Sequence, residues 1–185
     1  MERSLALIAL FAALIAALGL IPSFTLAFGV PVTAQTLGVM LCGTVLGAKR
    51  GTMAVLLFLV LVAIGLPFLA GGRGGLGVFA GPTVGFLVGW PVAAFVTGLI
   101  VERWRGANLA VVATVASIIG GIIILYAFGI VGMSVILERT LLEAAGLVTA
   151  FIPGDVIKAV LAGLLTAALF KARPASVLSR SSSDG

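Results

Sequence analysis

Asp155 and Lys158 stand three residues apart at the start of a hydrophobic run that continues from Val156 to Phe170. At that spacing both side chains fall on one helix face, where a carboxylate and an ammonium either neutralise one another or grip a ligand with an acceptor and a donor together. A charge in a membrane interior costs about 3 kcal/mol or more unless it is paired or wetted, so such residues mark a binding site or a pathway. Pro153 and Gly154 precede the pair, which suits a helix beginning there and places Asp155 at the favourable end of its dipole. Two readings stay open: a grip on a ligand, or a buried ion pair that only holds the helix entrance together. An ion pair used for stability alone gains little in an apolar site.

A second segment with chemical potential runs through Gly71, Gly72, Arg73, Gly74, Gly75, Leu76 and Gly77. Glycines let backbone N–H groups come close to a ligand, and Arg73 either attracts a carboxylate at the entrance or is a solvated loop arginine. The segment lacks the Lys-Ser/Thr ending of a phosphate-binding loop, so nucleotide binding and ATP hydrolysis by that route are unsupported. Histidine is absent and Cys42 stands alone in the apolar stretch from Leu37 to Leu46, which removes metal clusters, disulfide frameworks and histidine acid–base catalysis. Cys42 reads as a packed small apolar residue.

The elements that must position these residues are membrane helices. Of the 185 residues 62% are hydrophobic and 9% charged, far from the roughly half-apolar balance of a soluble domain. The long apolar runs suit helices of about 20 residues and not the alternating segments of a membrane β-barrel. Six spans are expected, over 4–21, 34–48, 51–69, 82–101, 108–128 and 154–172, making an all-α membrane domain of residues 1–172. The first, from Leu5 to Ile21, is longer than a signal-peptide core and reads as a retained helix. Gly38, Gly43 and Gly47 make the second a weak helix in isolation, one that has to pack closely.

Arg3, Lys49, Arg50, Arg103, Arg105, Lys171, Arg173 and Arg180 all fall on one side of this arrangement, and only Arg73 and Arg139 on the other. The positive-inside rule therefore predicts both termini in the cytoplasm. The same topology accounts for the net charge of +5 without a nucleic-acid partner, because the bases form no continuous face. The outward loops 22–35, 70–82 and 129–154 predict a lid, two of them being longer than ordinary helix connections. In the last, Glu138, Arg139 and Glu143 read as the solvated face of a short surface helix. The serine-rich segment 173–185 is too polar to bury a core and is expected to be a disordered cytoplasmic tail. No internal repeat is evident, against an inverted-repeat transporter. Ala9, Ala13 and Ala17, with Ala12 and Ala16 beside them, form small-residue rows that serve either a partner or internal packing.

Three segments taken together, Pro31-Val-Thr-Ala-Gln-Thr36, the glycine-rich stretch from Gly65 to Thr83, and Phe151-Ile-Pro-Gly-Asp-Val-Ile-Lys158, resemble the BioY family of biotin-binding S components of energy-coupling-factor (ECF) transporters. The resemblance extends from the first helix to about Lys171. It implies an S-component-like bundle of six helices in a bacterial or archaeal cytoplasmic membrane, capturing biotin from outside, with no cofactor and no enzymatic activity. The matching positions are Gln35, Thr36, Gly74, Gly75, Pro82, Thr83, Asp155 and Lys158. On this reading Asp155 accepts from a ureido N–H, and Lys158 donates to the ligand or aligns Asp155. Arg73 or amides near Gly74 receive the carboxylate, and Phe79 or Phe86 covers the ring. Arg73 and Phe86 depart from the family pattern, which has a small residue and a tyrosine there.

The partners implied are a transmembrane coupling protein and cytoplasmic ATPases, docked through Ala9, Ala13 and Ala17, and the family's transport model has the S component topple in the membrane. A homo-oligomer acting without those partners is the variant of this scheme. The alternative of another class is an ion- or proton-coupled carrier of a small vitamin-like solute, with Asp155 titrating. A membrane enzyme has little equipment here, with one charged pair and no metal-ligand cluster.

Overall fold

The structure, a computed structural model, describes residues 2–180. Helix α1 (Glu2–Leu18) leads into a hairpin of two-residue strands, β1 (Phe24–Thr25) and β2 (Pro31–Val32), which pair antiparallel. Next come α2 (Gln35–Leu41), continued by a π-helical turn (Cys42–Leu46), and α3 (Ala48–Ala63). A short 3-10 turn (Leu76–Ala80) precedes α4 (Val84–Arg103). Helix α5 (Leu109–Ile118), a π turn (Ile119–Ile124) and α6 (Leu125–Ile136) form one continuous rod, followed by α7 (Leu141–Val148) and α8 (Ile152–Ala172). Among the described residues three helical stretches are long and apolar enough to cross a bilayer: Val84–Arg103, Leu109–Ile136 and Leu141–Ala172. The fold is thus all-helical save for the small hairpin.

Ile15, Met40, Leu46, Phe58, Leu125 and Met133 fill the common core. The second span packs as its glycines require: a Cβ on Gly38 would press on Ile15 and Leu18 of α1, and one on Gly43 would meet the Ala94 carbonyl of α4. Small residues bring these backbones together where larger side chains would hold them apart. Cys42 is buried and free.

Several boundaries differ from expectation. The third helix begins at Ala48 and stops at Ala63 instead of running to 69, because Gly65 takes φ 113° and Pro67 follows. The fifth does not end near residue 128. Gly129 and Gly132 lie inside α6, where their bare backbones accept the Phe86 ring and Gly85 of α4. Of the expected outward loop 129–154, only the part after Ile136 lies outside the α5–α6 rod. It holds α7, started by a capping box between Thr140 and Glu143, with Arg139 and Glu143 exposed and 3.7 Å apart.

The tail differs most. Pro174–Ser176 and Leu178–Arg180 form two 3-10 turns against the bundle, with Val177 and Ser179 buried, where the composition predicted disorder. Ser179 Oγ donates to the Thr44 carbonyl, Arg180 to that of Trp104, and Arg3 to that of Ala175. The partners of this tail are two carbonyls left at helix ends and the Arg3 side chain, which composition cannot reveal. Residues 181–185 lie outside the described residues. At this same end Glu102 Oε1 accepts from the Ala48 amide at 2.8 Å, capping α3. The first turn of α1, the segment 174–180 and the junctions at 48 and 102–105 are thus gathered at one end, and the hairpin, the glycine-rich loop and α7 at the other.

Candidate functional site

At that second end, residues from α2, α4, α6 and α8 converge on a cavity of about 60 Å3, roofed by Val30 and Pro31 of the hairpin and by Leu69. Such a volume holds a few waters, well below the roughly 300–1,000 Å3 of drug-sized pockets. Helix α4 contributes Thr83, Phe86, Leu87 and Trp90, spaced as one helix face. Phe86 stands edge-on to Tyr126 at 6.4 Å and to Phe151 at 5.9 Å between ring centres. Phe151 in turn meets Phe28 edge-on at 6.1 Å. The wall is therefore aromatic, the lining apt for a compact ring system.

Its polar part is a four-membered network. Lys158 Nζ lies 2.8 Å from Asp155 Oδ1 and donates to Thr36 Oγ1 at 3.0 Å. Thr36 Oγ1 donates to the same carboxylate oxygen at 3.1 Å, while Tyr126 Oη donates to Asp155 Oδ2 at 2.7 Å. The side chains of Lys158 and Asp155 are only 15% and 5% exposed, so the pair is desolvated, and the first turn of α8 places Asp155 where the helix dipole favours an anion. Counting donors and lone pairs, Lys158 keeps one N–H and Asp155 Oδ2 one lone pair beyond these bonds. The network is self-consistent, and its charged pair still has one donor and one acceptor to offer.

Arg73 also lines the cavity. Its Nε donates to the Ala70 carbonyl at 3.2 Å, leaving the outer guanidinium nitrogens for other work. Burial pulls its pKa down from the ordinary value, without discharging a guanidinium at neutral pH. Two cations and one carboxylate among the lining residues give one positive charge in excess, which suits a monoanionic ligand.

Seven of the ten positions expected from the sequence line this cavity: Gln35, Thr36, Arg73, Thr83, Phe86, Asp155 and Lys158. Gln35 nevertheless has a structural task. It is 1% exposed, its Nε2 donates to the carbonyls of Ile15 (3.1 Å) and Phe68 (3.0 Å), and its Oε1 accepts from the Ala70 amide at 3.0 Å. This one side chain ties α1, α2 and the glycine-rich loop together under the roof. Gly74, Gly75 and Phe79 do not line the cavity. A Cβ on Gly74 would strike the Leu66 carbonyl, the Gly75 amide donates to Val62 at 2.7 Å, and Phe79 packs against the core. Gly71 and Gly72, at φ 78° and 69°, turn the chain so that Leu69 and Arg73 can pair. These glycines shape the loop that carries Arg73 to the cavity.

The sequence reading missed Tyr126, Trp90 and Phe151. Tyr126 had a visible signal, being the one tyrosine of the chain and set within an apolar span where a phenol needs a partner. Phe151 opened a motif already singled out, whereas nothing in the sequence turned Trp90 inward.

A profile of the BioY family matches residues 2–175. The chain belongs to the BioY family. Among its relatives, a biotin transporter BioY of Rhodobacter capsulatus is 53% identical over 189 residues, covering 97% of this chain and all of the relative. One from Rhizobium etli is 55% identical over 178 residues, covering 93% and 95%. Among solved structures, the S component for biotin from an ECF-type ABC transporter superposes with a TM-score of 0.87 at 32% identity, over 92% of both chains. This family member is therefore a transporter subunit and not an enzyme, and it shares the S-component fold.

Proposed function

We propose that this chain captures biotin from outside the cell and serves as the substrate-specific component of an ECF-type transporter. The observation that carries the reading is the Tyr126–Asp155–Lys158–Thr36 network set in an aromatic wall, within a BioY family fold. Each part answers a part of the vitamin. The rings of Phe86 and Phe151 take its fused apolar ring. The spare lone pair of Asp155 and spare N–H of Lys158 take the ureido group, which both donates and accepts. Arg73 and the excess positive charge take the carboxylate. A ligand of that size exceeds about 60 Å3, so the hairpin and Leu69 shift outward to admit it.

Six crossings, by α1, α2 with its π turn, α3, α4, α5–α6 and α8, put both termini in the cytoplasm of a bacterial or archaeal cell. The grouping of basic junctions at one end supports this orientation. Ala9, Ala13 and Ala17 are exposed on α1 whereas Ala12 is buried, so the first row is available to a coupling protein while Ala12 packs inward. With no phosphate-binding loop in the chain, ATPases bound through that coupling protein supply the energy; a homo-oligomer acting alone is the variant. Isothermal titration of the purified protein with biotin, with thiamine and riboflavin as controls, tests the assignment. Saturable binding of biotin alone is expected, and tight binding of a control vitamin in its place would overturn the substrate.

A further inference from the structure

The network around Asp155 does not use every polar group at the cavity. Trp90 lies on α4 one turn beyond Phe86, lines the cavity, and is 5% exposed, yet its indole Nε1–H has no hydrogen-bond partner. Its ring is held in place by Phe58, 5.9 Å away between centres and tilted 46°. A buried donor left unpaired forfeits about 1–3 kcal/mol, and a membrane protein has no bulk water nearby to compensate. Phenylalanine would line the wall without that cost. The pairing of an orphaned donor with a cavity wall, beside a carboxylate already saturated on one oxygen, indicates that the missing partner is an acceptor on the ligand.

We infer that Trp90 is a specificity-determining residue whose indole N–H donates to the ureido carbonyl oxygen of bound biotin, an inference that rests on the biotin reading above. Of the ligand's acceptors, the carboxylate is drawn to Arg73, the thioether sulfur is a poor acceptor, and the ureido oxygen has two lone pairs, of which the spare N–H of Lys158 takes one. The ureido oxygen is the strong neutral acceptor that suits an uncharged donor. Asp155 then reads the ureido N–H, and Trp90 joins Lys158 at the oxygen of the same group. A solute with an apolar ring and a carboxylate but no carbonyl at this position would leave the indole unpaired and be rejected.

The experiment uses the full chain in nanodiscs. Trp90→Phe should raise the Kd for biotin about three- to tenfold, the worth of one neutral hydrogen bond. The penalty should shrink for 2-thiobiotin, in which sulfur, a weaker acceptor, replaces that oxygen. Equal penalties for both ligands, or no penalty, would overturn the inference. Should the variant fail to fold, Trp104→Phe leaves Trp90 as the chain's single indole. Its N–H proton resonance should then move downfield and exchange more slowly on adding biotin, and an unmoved resonance in a protein that binds biotin overturns the assignment. Wild-type protein that binds no biotin would refute the substrate reading itself, an outcome distinct from either of these.

Discussion

Replacing Asp155 by Asn keeps the shape of the side chain and removes its charge. At 2.8 Å the attraction between Lys158 and Asp155 is about 6 kcal/mol at an effective dielectric of about 20, before desolvation of either ion is counted. A firmer estimate comes from the bonds themselves. Asp155 accepts from Lys158 (2.8 Å), Thr36 (3.1 Å) and Tyr126 (2.7 Å). Hydrogen bonds to a charged group are worth about 1 kcal/mol more than neutral ones; the Asn oxygen keeps weakened bonds to Lys158 and Thr36 while its NH2 cannot accept from Tyr126, so the loss over the three is about 3 kcal/mol. This falls within the range of about 2–5 kcal/mol seen when one member of a buried charged pair is lost, and corresponds to roughly a hundredfold in Kd if the loss is felt on binding.

Titration calorimetry with biotin gives the affinity, and thermal unfolding with and without biotin gives the stability. The two separate the competing roles of the pair. In Asp155→Asn/Lys158→Met no charge is stranded, so stability should recover toward wild type, as it commonly does when a buried ion pair is replaced whole. If the pair grips the ligand, affinity stays low in this double variant. A folded double variant with wild-type affinity would refute the reasoning and leave the pair a purely structural device.

Tyr126→Phe removes the donor to Asp155 Oδ2 while keeping the ring against Phe86, and should weaken biotin binding by about 1–2 kcal/mol in calorimetry with little loss of fold. Gln35→Leu leaves the Ala70 amide and the Ile15 and Phe68 carbonyls without their partner, so it should destabilise the protein by about 2–4 kcal/mol in thermal unfolding. Ala13→Leu places a bulky side chain on the exposed row of α1 and should abolish co-purification with the coupling protein while biotin titration stays unchanged.

The sequence by itself determined the class of this protein, an all-helical membrane bundle, because hydropathy and charge act locally along the chain and leave their pattern in it. It also singled out the charged pair that lines the cavity. Asp155 and Lys158 stood out because a charge in an apolar run is costly whatever surrounds it, and Pro153 and Gly154 announced the helix start that aligns them. What it could not do was separate side chains of the cavity network from braces. Gln35 lies beside Thr36 in one short motif, yet one holds the Ile15, Phe68 and Ala70 backbones and the other meets Asp155 across the bundle. The glycine-rich loop was equally ambiguous: glycine tolerates close approach by a ligand and by the chain's own backbone, and here Gly74 meets Leu66. Tyr126, Trp90 and the packed tail depend on contacts between residues far apart in the chain, among them the 29 positions that separate Tyr126 from Asp155. The π turn before Leu125 and the bare backbone of Gly129 set how α6 meets α4 and α8. That rotation is a property of packed helices, and only the tertiary structure decided it.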